Sequence, residues 1–170
     1  MSRLFVILHA MNINIDDLKI KPMALKESLA ASLLSLKYVK TDKEWKLPGV
    51  LGFPSAILLF CFIDSVGSLL LNNSNPSIGD NFEILRDKDY FNIPLSQTEK
   101  RKFYESFRYH ILHLSELPAD SALIFNPDEE RIIYKDIDWN NRWCLNLAAL
   151  HEACDNLFNT HEQEIRNKSH

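Results

Sequence analysis

A mainly helical bundle with one short β-hairpin is the all-α fold class this sequence predicts, and three observations predict it. Ser96-Gln97-Thr98-Glu99 is a capping box: the serine hydroxyl can accept from the Glu99 amide while the glutamate reaches back to the Ser96 amide, so a helix starts there. Residues 122–125 and 131–134 flank Asn126-Pro127-Asp128-Glu129-Glu130, a strand–turn–strand pattern that places a hairpin near 122–135. Four glycines in 170 residues, with no GxGxxG or GxxxxGK[ST], argue against a large barrel or a glycine-rich phosphate cradle. The length suits a single domain over 1–170.

The elements follow in order. A first helical signal runs over 15–40, with Leu18, Met23, Leu25, Leu29, Leu33, Leu34 and Leu36 as its apolar positions and Pro22 marking its start. Residues 41–54, with Pro48, Gly49, Gly52 and Pro54, read as a loop. A second helix starts at Ser55 as N-cap and ends near Leu71, stopped by Asn72-Asn73-Ser74-Asn75-Pro76. Residues 77–95 are mixed, with a short helix around 82–86. The third helix spans 97–116, because Pro118 pushes Leu117 out of the helical region. Asp138 caps a last helix over 139–164, whose core face carries Trp143, Leu147, Leu150, Cys154, Leu157 and Phe158. Trp139 is read as core as well.

The composition is 46% hydrophobic and 25% charged, with a net charge of −4. That balance excludes a broad basic nucleic-acid surface and leaves room for a small site gripping one phosphate. Cys61, Cys144 and Cys154 are widely spaced and odd in number. They read as buried free thiols in a reducing compartment, hence a cytoplasmic location. Residues 49–71 carry a single charge, Asp64, and are long enough to cross a bilayer. Pro54 interrupts the run, and a central carboxylate in lipid costs a few kcal/mol. The segment is therefore expected as a buried core helix, with no membrane. Residues 1–8 are too short for a secretory signal, and Asp16 and Asp17 follow closely.

Chemistry concentrates on the third helix. At 100° per residue, Phe103, Phe107, His110, Ile111 and Leu114 share one sector and form the expected core stripe. Arg108 and His113 bracket the opposite face, with Leu112, Glu105 and Tyr109 between them. Apolar residues framed by Arg and His suggest a contact face, most simply that of a symmetric homodimer. A histidine imidazole can transfer a proton near working pH, and an arginine fork can hold phosphate oxygens. No cofactor is implied. His110 and His113 are an i,i+3 pair without a third ligand at metal-binding spacing.

The segment Phe107-Arg108-Tyr109-His110-Ile111-Leu112-His113 resembles the Arg-x4-6-His motif of HEPN domains. Ile63-Asp64-Ser65-Val66-Gly67 is similar to the stretch that places an acidic residue on an earlier helix of such proteins. The resemblance covers residues 55–160, leaving 1–50 as an N-terminal helical extension. It implies a HEPN-like helical core and a metal-independent endoribonuclease, toxin or defence related, with RNA as substrate and an antitoxin-like protein as a possible partner. It further implies Arg108 and His113 as the catalytic pair, a homodimer through the Arg108/Leu112/Tyr109/His113 face, Asp64 orienting Arg108, and Tyr109 and His110 in support. HEPN motifs often carry a small polar residue after the arginine, where this chain has Tyr109. The alternative is a non-catalytic binding or scaffold domain of the same shape.

Overall fold

A computed structural model describes residues 20–37, 51–71, 78–114 and 116–169. Of the expected loop at 41–54, residues 41–50 lie outside the described residues, as do the stop signal at 72–76 and the segment 1–19, while Gly52–Pro54 are helical rather than loop. The chain is mostly helical with a small sheet. Helix α1 (Ile20–Lys37) has Pro22 in its first turn, where a missing amide donor costs nothing. Its Leu25, Leu29 and Leu36 are buried in the same core as the later helices.

Helix α2 (Gly52–Leu70) is the central element. It starts three residues before Ser55, which is buried in its first turn with its hydroxyl unpartnered. Ala56, Leu59, Phe60, Phe62, Ile63, Val66 and Leu70 are buried along it, each large side chain contributing about 1.5–3 kcal/mol. It is long and apolar enough to cross a membrane by length and composition, yet half of that stretch is buried against other elements. Cys61 is exposed on α2, which corrects the expectation of three buried thiols; Cys144 and Cys154 are buried.

Helix α3 (Ile78–Asn81) runs into a 3-10 turn, Phe82–Leu85. Gly67 lets this segment approach α2: a Cβ there would stand 2.1 Å from the Asn81 carbonyl oxygen. Helix α4 occupies 97–114. Its capping box forms as the sequence predicts, with Ser96 Oγ accepting from the Glu99 amide and the Ser96 amide donating to Glu99 at 2.8 Å. Only Gln97–Arg101 is α-helical, however; Lys102–Arg108 and His110–Leu114 are π-helical.

The expected hairpin does not form. Strands β1 (Ser121–Ile124) and β2 (Ile133–Asp136) both pair with a third strand, β3 (Arg142–Asn146), in the order β1-β3-β2. β3 runs parallel to β1, with Ala122 opposite Cys144, and antiparallel to β2, with Ile133 opposite Leu145. The loop after β1 turns to the end of β3 because Asn146 collects its backbone. Asn146 Nδ2 donates to the carbonyls of Asn126 at 2.8 Å and Glu129 at 2.6 Å, and its Oδ1 accepts from the Asn126 amide. Asn146 also accepts from the Ala148 amide and so caps α5 (Leu147–Lys168), in place of Asp138. Trp143 is therefore a half-buried strand residue, and Trp139 is an exposed turn residue whose ring faces the Arg142 guanidinium at 4.6 Å. The other expected core positions of the last helix are buried: Leu147, Leu150, Cys154, Leu157 and Phe158.

Candidate functional site

The winding of α4 decides where its chemistry points. The Tyr109 amide donates to the Tyr104 carbonyl, five residues back. An i→i+5 helix has roughly 4.4 residues per turn, about 82° per residue, against 100° in an α-helix. Measured from Phe103, that winding puts Phe107, Arg108, Ile111 and Leu112 all within about 65° of the core side, and Leu114 nearly opposite. The burial agrees: Phe103, Phe107 and Ile111 are buried, Leu112 packs partly against the core, and Leu114 is 48% exposed.

Three expectations are corrected by this. Arg108 does not stand on an outer face: it is buried, with 8% of its surface exposed. Leu114 leaves the core stripe. His110 is half-buried rather than core, its Nδ1 enclosed without a hydrogen bond and 3.9 Å from Glu116 Oε1. Helical winding is the common cause, since an α-helical wheel assigns all three to the wrong side.

The Arg108 guanidinium lies over two aromatic rings, 5.2 Å from the Tyr104 centroid and 5.8 Å from that of Phe82. Those rings sit edge to face at 5.6 Å, and Lys100 pairs with Glu83 to hold α4 against the 3-10 turn. Arg108 Nε has no hydrogen-bond partner. Cation–π contacts of this kind supply about 0.5–2 kcal/mol.

Asp64 does not orient Arg108. Its Oδ1 accepts instead from Asn81 Nδ2 at 3.0 Å, an arrangement made possible by the close approach at Gly67. The two charges are still near enough to act on one group. The exposed Cys61 thiol has its pKa raised, first by burial and then by the Asp64 carboxylate, while Arg108 lowers it. Asp64, Cys61 and Asn81 line a cavity of about 390 Å³ with Leu25, Ser28 and Ser68.

His113 is exposed, and the π winding brings it within about 50° of Arg108 around the helix, where an α-helix would separate them by about 140°. Tyr109, 49% exposed, stands beside both histidines, 5.0 Å from the His113 ring and 5.9 Å from that of His110. The structure thus gathers Arg108, Tyr109, His110 and His113 on one short segment and leaves Asp64 one element away. Tyr104, Phe82 and Asn81 are the participants that sequence reasoning missed. No spacing rule joins residues 64 and 81; the available signal was Gly67, a small residue one turn from Asp64. Among the described residues no group of three His, Cys, Asp or Glu side chains converges as metal ligands would.

Protein-family models, curated proteins and solved structures contain no match to this chain.

Proposed function

We propose that this chain is a metal-independent endoribonuclease of the HEPN kind, in which Arg108 holds a phosphate of single-stranded RNA and His113 transfers protons. The observation that supports it most is the electrostatic state of Arg108: a guanidinium buried on an aromatic platform, its Nε unpartnered. A guanidinium largely covered by protein, with its Nε free, can still receive an anionic ligand, and a phosphodiester offers oxygens that match the guanidinium fork. In the proposed step, His113 accepts the proton of an RNA 2′-hydroxyl as that oxygen attacks the adjacent phosphorus. The 5′-oxygen leaves and takes a proton from water, a 2′,3′-cyclic phosphate remains, and His113 returns its proton to solvent. Arg108 neutralises the charge that grows on the phosphoryl oxygens. A second copy of the chain, meeting the first through the exposed Tyr109 and His113 rather than through Leu112, which packs against the core, would set two such segments side by side, and an antitoxin-like protein could cover the same face.

A second reading, a non-catalytic binding or scaffold domain, is favoured by one specific observation. Arg108 is covered while His113 is exposed, and neither lines the cavity beside Asp64 or the one of about 300 Å³ around Lys100 and Tyr104.

Cleavage assays separate the two readings. Purified protein is incubated with single-stranded RNA in EDTA, with DNA of the same sequence as control. The ribonuclease reading expects RNA cleavage alone, reduced about 10²–10³-fold by Arg108→Ala and about 10²–10⁴-fold by His113→Ala, with melting temperatures unchanged within a few degrees. RNA left intact by the wild type sinks the reading in favour of the scaffold.

A further inference from the structure

The two windings available to residues 102–114 place different side chains in the core, and neither is free of cost. In the π register Arg108 and Leu112 face inward, while Leu114 is half exposed. In an α register continued from Gln97–Arg101, the same wheel turns Arg108 and Leu112 outward and brings His110 and Leu114 in. Phe103, Phe107 and Ile111 stay on the inner side in both. The exchange is one leucine for another, with Arg108 leaving the inner side and His110, whose Nδ1 is already enclosed and unpartnered, turning further in. The apolar period of the sequence matches the α register, and the observed burial matches the π register. π-helical winding is rare, and its usual single-turn bulges are frequent at functional sites.

We propose that α4 is a register switch: the π winding described above is a closed form that shelters Arg108, and conversion of residues 102–114 to α winding presents it to solvent. The turn at 116–120, between α4 and β1, absorbs the change in length and rotation. As a control on phosphate access to Arg108, the switch rests on the ribonuclease reading; the change of winding itself does not.

Chemical modification tests it without RNA. The full chain is treated with phenylglyoxal, which attacks accessible guanidinium groups, and the rate at Arg108 is read by mass spectrometry against that at Arg101, whose side chain is exposed. Leu114→Asp is the diagnostic variant. Position 114 is half exposed in the π register, so the fold is retained, but the α register would bury the new carboxylate unpaired. Arg108 modification is expected to slow about tenfold or more in that variant, at an unchanged Arg101 rate, while Leu114→Met keeps the wild-type rate. Equal Arg108 rates in wild type and Leu114→Asp overturn the switch, and so does an Arg108 that is inert in the wild type. RNA cleavage with no effect of Leu114→Asp on modification would leave the ribonuclease reading standing without the switch. The reverse pattern would leave the switch without the ribonuclease.

Discussion

Helices α2 and α4 lie side by side in one core and obey their sequences differently. Along α2 the buried positions follow α-helical periodicity, Ser55 is the buried polar residue, and the half-buried Asp64 is answered by Asn81. Along α4 the first five residues are α-helical behind a complete capping box, and then the winding loosens. Phe60 on α2 meets Phe103 on α4 edge to face at 5.4 Å, so packing anchors both. What differs is the load each carries: α2 buries a nearly uninterrupted apolar surface, whereas α4 buries a cation between aromatic rings. An apolar stripe specifies burial in one winding only when its polar neighbours have an unambiguous place outside it, and Arg108 and His110 do not.

The comparison breaks most sharply at two positions of α4 that an α-helical wheel treats alike. Phe107→Ala should cost about 3–5 kcal/mol, since its ring is fully buried. Leu114→Ala should cost under about 1 kcal/mol, as befits an exposed site. Urea unfolding of both variants measures the contrast, and equal costs would restore α winding to α4. A smaller effect is expected where α2 meets α3. Gly67→Ala drives a methyl into the Asn81 carbonyl and should lower stability by about 1–3 kcal/mol, seen as a melting temperature about 3–10 °C lower. An unchanged melting temperature would show that α3 can retreat, and Asp64 with it would lose its partner.

The smallest effect concerns the tie between α4 and β1. Lys102 Nζ lies 2.8 Å from Asp120 Oδ2, and this ion pair is the main reason the Asp120 pKa is lowered. A carboxylate with a depressed folded-state pKa stabilises above its unfolded value of about 3.9, and that contribution is lost as pH falls through the folded value. Asp120→Asn should therefore cost less than about 1 kcal/mol at neutral pH, because the carboxylate is largely solvated. The difference from wild type should vanish in acid. A cost that persists below the carboxylate range would assign the effect to packing rather than charge.

Much of this fold was legible where a signal is local. The Ser96–Glu99 box, the proline-limited end of α4 and the 3.6-residue spacing of Leu147, Leu150, Cys154, Leu157 and Phe158 each follow from neighbouring residues alone. β3 was read as helix because Trp143 and Leu147 continue the apolar spacing of α5 backwards. The contrary signal was Asn140-Asn141, a pair tolerant of positive φ, and both adopt it, at 55° and 53°, in the turn from β2 to β3. Of the candidate site, the sequence placed Arg108, Tyr109, His110 and His113 on one helix but showed neither their orientation nor the neighbours Tyr104, Phe82 and Asn81. The i→i+5 winding sets Arg108 against the Phe82 ring of the 3-10 turn and Leu112 against the core, contacts that no window along α4 contains.

The strand order has a consequence for synthesis. β3 is the middle strand of the sheet and the last to be made, so β1 and β2 emerge from the ribosome with nothing to pair with. Until Asn146 has been added, the loop after β1 has no side chain to gather its carbonyls and α5 has no cap. A nascent chain stopped short of β3 would hold two strands with open edges, the kind of surface that recruits other chains. Completion of the small sheet, the seating of the last helix and protection from aggregation therefore arrive together, with the same five residues, Arg142–Asn146.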